Sequence, residues 1–152
     1  MKKFLIIFIV ISISTCYLYS QNKTIKGRVI NEYFDTLSGV LIMLNDKVEV
    51  ARTDKNGFFQ IDIPISEKKI LFWYPGFELT TIELVEICDK IEVIMIYSCS
   101  YDFITLKRVD RLRKKRYKKI PEIHKQAFEK GIFKTESPCY KREFEPIFLN
   151  KD

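Results

Sequence analysis

The sequence predicts a mainly β protein: a seven-stranded antiparallel sandwich carrying a C-terminal α-helical extension. Three observations lead there. Between residues 24 and 96, short runs rich in Ile, Val, Phe and Thr recur at near-regular spacing, each closed by a turn signal. No interval between those runs is long enough for a crossover helix, which excludes a parallel α/β sheet. After Tyr97 the apolar period changes from that of a strand to that of a helix.

The runs can be taken in order. Residues 24–30 make the first strand, with Ile25 and Val29 on one parity and Gly27 marking a bulge or a close backbone approach. Residues 39–44 follow a turn at Phe34-Asp35-Thr36. Residues 47–53 and 58–63 flank Asp54-Lys55-Asn56-Gly57, where Asn56 and Gly57 supply the positive φ angles of a tight hairpin. Phe58, Ile61 and Ile63 do not alternate strictly, so an irregularity or burial on both faces is expected in that strand. Residues 69–74 stop at Pro75-Gly76, and Gly76 lets Phe77 fold back onto the core. Residues 79–85 and 91–96 form a last hairpin around Cys88-Asp89-Lys90.

Composition bounds the rest. The chain of 152 residues is 47% hydrophobic and 30% charged, too apolar and too mixed in charge for a disordered chain. Its length suits one compact domain with an appendage. Residues 1–20 read as a secretory signal peptide: Lys2 and Lys3 precede an apolar run from Phe4 to Ile11, and Ser20 offers the cleavage position. The run is short for a membrane span and lacks a basic flank on its far side. A competing reading lipidates Cys16 within Ile13-Ser14-Thr15-Cys16 to give an outer-membrane lipoprotein, although Thr15, Tyr17 and Tyr19 fit such a box poorly. Both readings place the mature chain outside the cytoplasm, secreted or periplasmic.

The ordered series Ile25-Lys26-Gly27-Arg28-Val29, Ser38-Gly39-Val40-Leu41-Ile42 and Thr53-Asp54-Lys55-Asn56-Gly57-Phe58-Phe59 continues to Leu71-Phe72-Trp73-Tyr74-Pro75-Gly76-Phe77 and a final strand. It resembles the carboxypeptidase regulatory-like domain family. The resemblance spans residues 22–98 and implies a transthyretin-like, or prealbumin-like, β-sandwich. Such domains accompany outer-membrane receptors, enzymes and surface proteins as spacers and docking units.

Charge is placed unevenly. Residues 22–98 hold nine Lys/Arg against twelve Asp/Glu, and residues 99–152 hold fifteen against eight. A mildly acidic domain therefore bears a basic extension. Within it, residues 103–120 have helical periodicity: Leu106, Val109, Tyr117 and Ile120 share a stripe, with Leu112 at its margin. Lys107, Arg108, Arg111, Lys114, Lys115, Lys118 and Lys119 form an opposite basic face, and Arg113 and Arg116 are the exceptions. Pro121 ends this helix or opens a second over residues 122–130, which Gly131 stops. Residues 132–152 show no clear period and are expected to run as an irregular, partly packed tail.

The residues argue against catalysis. A single His excludes a site built from several imidazoles, and His124 reads as a surface or helix-packing residue. Asp54, Asn56 and Gly57 echo a calcium loop but lack its remaining ligands, and there is no Gly-rich phosphate loop. No catalytic residue, metal or cofactor is expected. Cys88 and Cys99 stand at opposite ends of a strand, beyond disulfide reach; a Cys99–Cys139 disulfide, stapling the tail to the sandwich, is the candidate pairing, and free or buried thiols are the alternative. Trp73, Tyr74 and Phe77 are either core or an exposed aromatic patch. The functional expectation is a non-enzymatic module of the cell envelope whose basic helix contacts an anionic surface. Its candidate partners are an envelope protein, anionic lipid or acidic polysaccharide, with no nucleic acid. The alternative is a carbohydrate- or peptide-binding sandwich.

Overall fold

The structure, a computed structural model, describes residues 22–44, 48–85, 88–101 and 103–147. The signal-peptide and Cys16 readings lie outside these residues. The strands are β1 (Asn22–Asn31), β2 (Leu41–Leu44), β3 (Val48–Arg52), β4 (Phe58–Pro64), β5 (Lys69–Trp73), β6 (Thr80–Leu84), β7 (Lys90–Met95) and β8 (Tyr140–Lys141). Two helices, α1 (Leu106–Tyr117) and α2 (Ile120–Glu129), separate β7 from β8. One sheet has the order β4-β1-β7 and the other the order β3-β2-β5-β6-β8. All seven expected strand segments are present, and the extension adds an eighth.

The core between the sheets follows from alternation. Ile25 and Val29 of β1, Phe59, Ile61 and Ile63 of β4, and Val93 of β7 meet Ile42, Ile70, Phe72 and Ile82 from the opposite layer. The expected irregularity in β4 is absent. Its residues alternate strictly, with Phe59, Ile61 and Ile63 buried and Phe58 simply on the outer face. Gly27 allows a close approach of β1 to β7 and β4. A Cβ there would stand 2.1 Å from the Ile91 carbonyl oxygen and 2.5 Å from the Phe59 ring, so this strand position must be bare.

Three expectations about connection need correction. The sandwich is not antiparallel throughout: β1 and β7 pair in parallel from Lys26↔Lys90 to Asn31↔Met95. Parallel neighbours require a long crossover, and here the intervening strands supply it, although no helix does. Residues 79–85 and 91–96 do not form a hairpin either, because β6 and β7 belong to different sheets. The turn at Asp54, Asn56 and Gly57 likewise hands the chain from β3 in one sheet to β4 in the other. Of its residues only Gly57 has positive φ, at 76°. The Asp54 carboxylate closes that turn by accepting from the amides of Asn56 and Phe58, each at 2.8 Å.

A second apolar cluster covers the outer face of β1 and β7. Ile30 and Ile94 pair across the parallel strands and pack with Ile120 and Ala127 of α2 and with Phe133. Consequently β7 is buried on both faces from Ile91 to Met95. Burying one such isoleucine stabilises by about 2 kcal/mol, so the helices are docked as a third layer. Pro121 lies in the first turn of α2, and Gly131 follows that helix at φ +71°.

The disulfide joins Cys88 to Cys139, with Cα atoms 5.6 Å apart, and Cys99 is a free, exposed thiol. The candidate Cys99–Cys139 pair is thus overturned. Tail strand β8 adds to the edge of β6 through Leu84↔Tyr140, which delivers Cys139 to the start of β7. Cys99 lies past the other end of that strand. The Cys88–Cys139 bond fits an extracellular or periplasmic setting. Among the described residues, no helix is long and apolar enough to cross a membrane.

Candidate functional site: a basic helix face held from behind

The inward side of α1 is polar, which is unusual for a docked helix. Val109 is buried, but its neighbours in the contact are Asp110, Arg113 and Arg116. Arg113 makes a two-pronged bond to Glu78, Nε to Oε1 at 3.1 Å and Nη2 to Oε2 at 3.0 Å. Its Nη1 reaches Asp110 Oδ1 at 3.0 Å and the Glu145 carbonyl at 3.2 Å. Arg116 pairs with Glu32 and donates to the Tyr97 carbonyl at 3.0 Å. These are the two cations that broke the basic stripe on the helical wheel. They sit on its inward arc, and that position was the signal for their anchoring role.

Burial opposes both charges, and specific partners more than restore them. For Arg113, desolvation would lower the pKa, but the hydrogen bond and charge of Glu78, then those of Asp110, leave it raised. Arg116 follows the same course, with Glu32 supplying the counter-effect. The tail completes the clamp. Arg142 donates to the Ile94 carbonyl at 2.7 Å and to Thr80 Oγ1 at 3.1 Å, and its guanidinium lies 5.2 Å from the centre of the Tyr117 ring. Burial pushes the Arg142 guanidinium below its ordinary value. The Ile147 amide donates to Asp110 Oδ1 at 3.0 Å, so the chain after β8 crosses back over α1.

Facing away from this clamp, Lys107, Arg108, Arg111, Lys114, Lys115, Lys118 and Lys119 are all exposed. Among the described residues, none of the seven has a carboxylate within ion-pair distance. Five of these residues lie on α1, and Lys118 and Lys119 lie in the turn that joins it to α2. These cations repel one another. Lys107–Arg111, Arg111–Lys115 and Lys114–Lys118 are like-charge neighbours one turn apart, each costing about 0.2–0.5 kcal/mol. Lys107 and Arg108 also occupy the first turn, which contains no acidic residue, where the helix dipole disfavours cations.

The other candidates separate. Trp73 is 42% exposed on the outer face of β5, whereas Tyr74 and Phe77 pack against the core with ring centres 5.6 Å apart. The three do not make one aromatic patch. His124 is fully buried, with Nδ1 3.3 Å from the Glu136 carbonyl and its ring against Phe133. Its packing role holds, and a surface position is excluded. Sequence reasoning passed over Glu92, a lone acid inside the apolar run of β7. It is buried and accepts from the Lys134 amide at 2.6 Å and from the Thr135 amide and hydroxyl at 3.0 and 2.6 Å.

Comparison with known proteins comes to one finding: no family model and no curated protein matches the chain.

Proposed function

We propose that the protein is a non-enzymatic, secreted or periplasmic interaction module of the cell envelope that docks on an anionic surface through the exposed face of α1. The resemblance to carboxypeptidase regulatory-like domains, with their transthyretin-like sandwich, fits a spacer or docking role. One observation carries the reading. Seven exposed cations, five on α1 and two in the turn after it, have no ion-pair partner among the described residues, while Arg113 and Arg116 on the inward side of α1 are paired. A self-repelling surface held rigidly in place is relieved by an external anion. Phosphate headgroups of anionic lipid meet that need at a membrane.

The test is co-sedimentation with phosphatidylglycerol vesicles. The protein should be retained at low salt and released at about 0.5 M NaCl, where exposed charges are screened within a few ångströms. Changing Lys114, Lys115, Lys118 and Lys119 together to Glu should abolish retention while leaving the circular dichroism spectrum unaltered. Retention by the folded quadruple variant would remove the role assigned to α1. The second reading, a carbohydrate- or peptide-binding sandwich, draws support from a cationic groove to which α1 contributes no residue.

A further inference from the structure

The outer face of the three-stranded sheet is only half covered. Its Ile30–Ile94 end lies under α2, and beyond it the same faces of β1, β4 and β7 line an open groove of about 600 Å³. Lys26 and Arg28 enter it from β1, Lys90 from β7 and Lys134 from the segment after α2, with Phe58 and Gln60 of β4 along one side. Lys26 stands beside Lys90 in the parallel register, so two cations occupy adjoining strands about 4.8 Å apart.

Two carboxylates, Glu92 and Asp54, share the lining and offset only part of this charge. Glu92 is buried and held by the Lys134 amide and by Thr135, neutral donors that orient it and leave its charge in place, so those four cations face two anions in the groove. The Asp54 carboxylate is engaged by its own turn. Among the described residues, Lys26, Arg28, Lys90 and Lys134 have no carboxylate within ion-pair distance. Arg28 is also pre-set. Its Nε donates to the Asn56 carbonyl at 3.2 Å and its Nη1 to the Ile132 carbonyl at 2.9 Å, while its guanidinium stacks 4.7 Å over Phe58. Both acceptors are neutral carbonyls, so the guanidinium is positioned without being neutralised.

We infer that this groove binds an extended acidic peptide segment of a partner protein, with carboxylates at alternate residues. The spacing argues for polypeptide. Lys26 and Arg28 are two residues apart on one strand face, a repeat of about 6.6–6.8 Å, and alternate side chains of an extended peptide share that repeat. The groove also runs beside β4, an edge strand of its sheet, where an incoming extended chain finds backbone groups as well as charge. Phe58, 46% exposed, offers apolar contact to the residues between the carboxylates. This assignment is independent of the role proposed for α1.

Fluorescence anisotropy with the purified protein and a short labelled peptide of strictly alternating glutamate and threonine tests it. Saturable binding is expected, weakened at least about tenfold by Lys26→Glu/Lys90→Glu, both being exposed side chains whose exchange leaves the melting temperature unchanged. The α1 quadruple Lys→Glu variant should bind as the parent does. A block peptide of the same composition, with all its glutamates before all its threonines, should bind more weakly. The inference is overturned by absence of saturable binding, by parental affinity in the groove variant, or by loss confined to the α1 variant. Equal affinity for the block peptide, or tighter binding of an oligogalacturonate, overturns it too.

Discussion

At the scale of single residues, α1 depends on charge that is almost completely removed from water. Arg113 keeps 10% of its side-chain surface and Asp110 none, with Glu78 at 17%. Truncating the arginine removes the cation that Glu78 and Asp110 share, and breaking a buried pair in this way costs about 3 kcal/mol. Arg113→Ala should therefore lower the urea midpoint by an amount corresponding to about that loss. Arg113→Lys should recover only part of it, since an ammonium cannot match the two oxygens of Glu78 at once. His124 gives a pH signature. Desolvation lowers its pKa below the ordinary 6.5, against a weaker opposing effect of the Glu136 carbonyl. The unfolded chain then binds the proton more readily than the folded one, so stability is full above pH 6.5 and falls as pH drops below it. The melting temperature should decline between pH 7 and 5, and His124→Phe should flatten that decline. An equal slope in both proteins would assign the effect to other groups.

Among the elements, β1 carries most of the architecture. It pairs antiparallel with β4 and parallel with β7, and it contributes Val29 to one core and Ile30 to the other. Gly27→Ala should separate β1 from β7, because the added methyl meets backbone at 2.1 Å with no flexible atom to yield. A loss of about 3 kcal/mol is expected from overpacking at such a site, readable by chemical denaturation. α1 stands at the other extreme. Its solvent face contributes cations that weaken it, and its hold on the sandwich comes from Arg113, Arg116 and the tail. Amphipathic periodicity located this helix correctly, yet it misjudged what faces inward. Leu106 remains 58% exposed and Leu112 36%, whereas Asp110 and Arg113 are enclosed. Hydropathy ranks residues singly, and an arginine paired with two acids buries as a unit that no single-residue scale represents.

For the whole molecule, the extension is woven into the domain. β8 extends the five-stranded sheet, the Cys88–Cys139 bond closes a loop of 51 residues, and α2 covers β1 and β7. On the chain-entropy estimate such a crosslink stabilises by about 4 kcal/mol. Cys88→Ser/Cys139→Ser should lose up to that amount, whereas Cys99→Ser should change stability by less than about 0.5 kcal/mol, as expected of an exposed position. Peptide mapping of non-reduced protein checks the pairing directly, and a Cys99–Cys139 peptide would refute it.

Local pattern alone determined the strand segments, the two helices and the glycine contact at position 27. Each of these depends on residues a few positions apart, where alternation, turn chemistry and helical spacing act directly. Tertiary structure alone decided the parallel partnership of β1 and β7, the sheet to which each strand belongs, the cysteine pairing and the inward use of Arg113 and Arg116. Those outcomes join residues 35 to 84 positions apart, such as Arg113 with Glu78 and Arg116 with Glu32. Which distant groups meet is set by how two layers and a helix bury their surfaces together, and no short window of sequence contains that information.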